Sequence, residues 1–141
     1  MSIMGMQNNS FSLRVTAVLY WFIVAAFGTL EPWGNIDIRD FSYMGAAKFW
    51  EYNTYIVVVL LGMVFLGIAL WRGHVHARTV IWMGAINALF CAMVLFDLLR
   101  FFPDAAKPMS RLTASIEIVT ASIALGILAY APRLVRYRME K

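Results

Sequence analysis

Cysteine, histidine and charge are all scarce in this sequence, and each scarcity removes a class of chemistry. Cys91 is the one cysteine, so the chain holds neither an intrachain disulfide nor a thiol pair. The two histidines, His74 and His76, share one short basic stretch. At i, i+2 they need an extended loop to face together, and Arg72 and Arg78 beside them repel a cation. They make at most a weak metal site, and no other histidine remains to ligate a haem from within a helix. Glycine-rich phosphate loops, zinc-protease helix motifs and a Ser/His/Asp set are missing too. No catalytic residue and no cofactor is implied, and the chain reads as non-enzymatic.

Charged residues make up 14% of the chain, against about 25% in soluble domains. Apolar residues replace them: 62% of positions are hydrophobic and the mean hydropathy is +0.71. A soluble domain of 141 residues could bury a core, but it could not hide this much hydrocarbon. The sequence is that of a membrane protein.

Four long apolar runs cover approximately residues 13–30, 54–71, 79–102 and 112–131. Each is close to the roughly 20 residues that a helix needs to cross a hydrocarbon core of about 30 Å. Charge and proline mark their ends at Glu31-Pro32, Arg72-Gly73, Pro103-Asp104 and Pro132-Arg133. Barrel strands are excluded by the absence of apolar/polar alternation. The expected fold is all-α: one domain, residues 1–141, of four transmembrane helices in a compact bundle, followed by a basic tail at 133–141.

Orientation follows from lysine and arginine in the connections. Residues 72–78 carry two arginines and no acid, and the tail carries Arg133, Arg136, Arg138 and Lys141. Both belong on the cytoplasmic side, which places the N and C termini inside a bacterial inner membrane or its equivalent. Lys107 and Arg111 in the third connection vote weakly against this. The first run is longer than a signal-peptide core and is expected to stay in the chain. The basic tail suits anionic lipid better than nucleic acid.

The fourth run contains Thr-Ala-Ser twice, at 113–115 and 120–122, with Glu117 between the copies. At 100° per residue, Ser115, Val119, Ser122, Gly126 and Ala129 form one stripe, and Thr113, Glu117, Thr120 and Ala124 form another on nearly the opposite side. Small residues let helix backbones approach where lipid provides little hydrophobic drive. One stripe can therefore serve the bundle, and the other a partner polypeptide or another helix. The third run has a similar device in Gly84, Ala88 and Ala92. Beside it stands Asn87, expected to hydrogen-bond across a helix interface.

Ionisable groups inside spans are costly, about 2.5–3.5 kcal/mol at mid-bilayer on the most lenient scale, and so point to pairing or function. Asp97 and Glu117 fall at one level near the outer leaflet, Arg100 follows Asp97 by three positions, and Glu31 closes the first run at similar depth. In the plainer reading, Asp97 and Arg100 neutralise each other and Glu117 reaches the interface or Arg100. In the sharper one, Asp97 and Glu117 supply negative charge to a cation or proton site, with Thr113 and Thr120 adding oxygen ligands.

The first connection holds an amphipathic stretch, residues 38–52, rich in rings: Phe41, Tyr43, Phe49, Trp50 and Tyr52, with Trp33 upstream. It is expected to lie along the outer membrane surface. A cage of these rings could alternatively hold a cationic ligand.

Three function classes follow. The first is a small non-enzymatic membrane protein that assembles through small-residue helix faces, as a homo-oligomer or as an accessory subunit of a larger membrane-protein partner. The second is an oligomeric cation- or proton-coupled transporter or channel using Glu117 and Asp97. The third is a binder of membrane lipid or of a cationic small ligand at the aromatic segment.

Overall fold

A computed structural model describes residues 3–30, 39, 41, 44–101 and 109–139, and the side chains among them at 11–30, 39, 41, 44–101 and 109–133. The described residues form four helices and no strand: α1 (Ile3–Gly28), α2 (Ala46–Trp71), α3 (Ala77–Leu98) and α4 (Arg111–Met139). All four are long and apolar enough to span a membrane. Backbone neighbours are α1–α2, α2–α3, α3–α4 and α4–α1, so the helices stand in a ring. Contacts fix their directions. Ser12, early in α1, bonds Tyr130, late in α4, and Arg14 lies over the ring of Trp71 at the end of α2. The start of α1 and the ends of α2 and α4 therefore share one end of the bundle, called here the terminal end. Asp97 and the start of α4 lie at the far end.

The helices outrun the apolar runs, because hydropathy locates the stretch matched to hydrocarbon rather than the stretch that is helical. α2 begins at Ala46 and so incorporates Phe49, Trp50 and Tyr52 into its first turns. α4 continues through Pro132, which was expected to end it. A proline removes one backbone hydrogen bond, and the neighbouring turns carry the helix across.

Both middle helices end in the same local motif. After α2 the N–H of His74 donates to Ala69 O (2.8 Å) and that of Gly73 to Leu70 O (2.9 Å), with Gly73 left-handed at φ 73°. After α3 the N–H of Phe101 donates to Phe96 O (2.8 Å) and that of Arg100 to Asp97 O (2.9 Å), with Arg100 left-handed at φ 56°. These are Schellman caps, and at the end of α3 the edge-to-face contact of Phe96 with Phe101 adds the apolar clasp of that motif. At the starts, Ser110 Oγ accepts from Thr113 N (3.0 Å) to cap α4, and Thr79 Oγ1 accepts from His76 N (3.2 Å) beside the start of α3.

The core is built from residues three and four apart on each helix, such as Tyr20, Ile23 and Phe27 on α1 and Met83, Asn87 and Phe90 on α3. The outward faces are equally apolar: Phe22, Phe65, Ile81, Leu89, Ile118 and Leu125 are all exposed. These apolar outward faces accompany four helices of membrane-spanning length and composition.

Candidate functional site in the bundle interior

The interior of a membrane bundle is where polar groups are both most costly and most informative. Asp97, in the last turn of α3, is buried and receives two hydrogen bonds from Arg39: Nη1 to Oδ1 at 2.5 Å and Nη2 to Oδ2 at 2.8 Å. Both side chains are almost fully enclosed, at 4% and 3% exposed. The parallel, two-pronged geometry is the strongest form of carboxylate pairing.

Arg100 does not fill this role. An i, i+3 pair requires helical backbone at both residues, and α3 ends at Leu98. The left-handed turn at Arg100 carries its side chain out of the bundle, where it is exposed. Glu31, the remaining member of the expected charged cluster, lies outside the described residues.

Glu117 is 1% exposed on the inward face of α4, between Thr113 and Thr120, which are buried too. The stripe continues through Ala124, Ile127 and Ala131, so this face is polar towards the far end and apolar towards the terminal end. The Thr120 hydroxyl donates to Ile116 O (2.8 Å) or Glu117 O (3.0 Å), and Thr113 Oγ1 lies 2.8 Å from Ser110 Oγ. Both hydroxyls are thus tied to their own helix while keeping lone pairs. Cys91 Sγ lies 3.8 Å from Ala121 O, which fixes the register of α3 against α4. From that contact Asp97 is six residues and Glu117 four residues towards the far end, a difference of about 3 Å along the axis. The two carboxylates do share a level.

Between two and three turns deeper, Asn87 crosses the bundle. Its Nδ2 donates to Tyr20 Oη (2.5 Å) and to Met83 O (2.7 Å), joining the diagonal helices α1 and α3, while its Oδ1 is buried without a hydrogen bond. Phe27 and Phe90 meet edge to face on the same diagonal. Aromatic side chains therefore fill the centre that the four backbones leave open.

The second stripe of α4 points the other way. Ser115, Val119, Ser122, Gly126 and Ala129 are all exposed, and the two serine hydroxyls return to Arg111 O (2.8 Å) and Ile118 O (2.7 Å). Beside it a groove of about 640 Å³ runs between α1 and α4, walled by Phe11, Val15, Leu19, Ile123 and Tyr130 and open above Gly126. A Cβ added at Gly126 would meet nothing within 4 Å.

Residues 12–141 match the family described as a domain of unknown function, DUF8051. The chain belongs to that family. No curated protein and no solved structure matches it.

The remaining residues singled out by sequence are dispersed. Gly84 has only Leu128 at 4.0 Å from a Cβ position, Ala88 is exposed and Ala92 half-buried. A tighter contact stands at Gly67, where a Cβ would lie 2.5 Å from Trp21 Nε1. Of the rings, Trp33 and Tyr43 lie outside the described residues. Phe41 is already covered by the Arg39 guanidinium, 5.0 Å from its centroid, while Phe49 and Trp50 meet edge to face at the start of α2. Tyr52 is buried in the core. His74 and His76 are exposed on the α2–α3 turn, and no group of three potential metal ligands occurs among the described residues. Sequence reasoning missed Arg39, Tyr20 and Gly67. Arg39 did carry a signal, as a cation in the connection between two apolar spans with no acid at helical spacing inside its own segment.

Proposed function

We propose that the chain is a small, non-enzymatic membrane protein that assembles through the outward face of α4, with further copies of itself or as an accessory subunit of a larger membrane protein. The termini then lie in the cytoplasm, in a bacterial inner membrane or its equivalent. The observation that carries this reading is the exposed small-residue stripe Ser115–Ser122–Gly126–Ala129 beside an apolar groove, left uncovered among the described residues. Its serines satisfy themselves on their own helix, so the face costs little to bury, and small residues favour close packing of another helix. The Arg39–Asp97 pair supports the same reading, since it neutralises one of the two carboxylates that a transport site would use.

Gly126→Leu tests it. A Cβ there meets nothing within 4 Å and the position is exposed, so the monomer should fold as before, whereas a packed helix would be pushed away. Native mass spectrometry after gentle extraction should show the wild type as a complex and Gly126→Leu as a lone chain of unchanged thermal stability. A particle of the same mass in both would overturn the proposal.

A second reading, proton or cation transfer, draws on the burial of Glu117 among Thr113 and Thr120. Under it, Glu117→Gln abolishes flux in proteoliposomes and leaves assembly intact. Equal flux in the variant and the wild type would remove the idea.

A further inference from the structure

Between α2 and α3, apart from the α1–α4 face, lies a second groove of about 530 Å³. Its walls are Val58, Leu61 and Phe65 from α2 and Trp82 and Ile86 from α3, with Gly62 and Ala69 as its floor and Arg78 and Thr79 at the terminal end. Apart from those last two residues and the indole N–H of Trp82, the lining is hydrocarbon and aromatic ring. We propose that this groove binds one acyl chain of an anionic phospholipid, with the phosphate held at Arg78.

Three observations on length, order and charge lead there. The eleven steps from Val58 to Ala69 rise roughly 16 Å, close to half of a hydrocarbon core of about 30 Å, so the groove is one leaflet long. Arg78 comes first, at the start of α3, and exposed Trp82 follows one turn deeper, the order of phosphate and ester levels in a leaflet. Deeper still the groove is apolar throughout, to Ile86 and Val58. Charge completes the match: residues 72–78 contain Arg72 and Arg78 and no acid, and Arg14 is drawn to the same end by its place over Trp71. The Thr79 hydroxyl is taken up by His76 N and His74 O, which leaves Arg78 as the cation at the mouth.

The test is native mass spectrometry of the purified protein titrated with phosphatidylglycerol and, separately, phosphatidylcholine of the same acyl chains. The wild type should retain the anionic lipid in preference. Arg78→Gln should weaken that preference about fivefold, which corresponds to the ~1 kcal/mol of one basic side chain near anionic headgroups. Arg72→Gln, on the same turn but outside the groove, should leave it unchanged. Ala69→Phe, which fills the floor without altering charge, should reduce retention of both lipids and keeps the proposal testable if Arg78→Gln fails to fold. Equal retention of the two lipids by the wild type, equal loss in Arg72→Gln and Arg78→Gln, or full retention by Ala69→Phe would each overturn the groove site.

Discussion

Arg39 and Asp97 lie 58 positions apart and meet through two parallel hydrogen bonds, both side chains enclosed by the bundle. The pair ties the α1–α2 connection to the last turn of α3, and it balances the charge of Asp97 inside the bundle. Burying either charge alone in this setting is far more costly than burying the two together.

That asymmetry yields a prediction. Arg39→Leu, which removes the paired cation from the buried Asp97 carboxylate, should cost about 3–5 kcal/mol. The double substitution Arg39→Leu with Asp97→Leu should cost clearly less than the Arg39→Leu and Asp97→Leu losses summed. Equilibrium unfolding in mixed micelles measures all three, and a double variant as unstable as the sum of the singles would show the two sites to be uncoupled.

Four long apolar helices were legible in the sequence because a membrane span leaves few alternatives: each must satisfy its own backbone, and polar residues within it mark where helices meet. Glu117, Asp97 and Asn87 were found this way, and all three are buried. The partner of Asp97 was not legible. Spacing along one helix offered Arg100, whereas the true partner comes from a connection whose path no periodicity encodes. The two stripes of α4 were legible, but which faced inward was not, since both contain small residues and the choice depends on how the other helices pack. Gly67 escaped notice because a glycine alone in an apolar run does not announce the tryptophan laid across it.

The left-handed cap at Arg100 predicts a stabilising substitution. An L-residue with a side chain pays about 1–2 kcal/mol for that backbone region, and glycine does not, though it gives back part through its freer unfolded chain. Arg100→Gly should therefore raise stability by about 0.5–1 kcal/mol, seen as a higher melting temperature in detergent. If Arg100 instead supported Asp97, the same change would lower it.

Gly67 makes the opposite forecast. Trp21 lies over it and tilts at 40° against Trp71, 5.4 Å between ring centroids, and Arg14 lies over the Trp71 ring. Gly67→Ala places a methyl where the indole nitrogen lies, so Trp21 must move or the helices must part, at about 1–3 kcal/mol. Tryptophan fluorescence should shift together with the stability loss. Gly126→Ala, over open space, should do neither.

The crossing of Asn87 to Tyr20 predicts coupling between α1 and α3, whose backbones are not neighbours. Tyr20→Phe removes the cross-bundle bond and leaves the buried amide with Met83 O, and a loss of about 0.6–2 kcal/mol is expected. Asn87→Leu strands the tyrosine hydroxyl in an apolar core and should cost a similar amount. Removing both polar groups at once leaves nothing unsatisfied, so the double variant should be nearer to the wild type than the two losses summed. The unfolding cycle of these four proteins gives the coupling directly. A coupling near zero would mean that the packing of Phe27 against Phe90, rather than this hydrogen bond, holds the diagonal together.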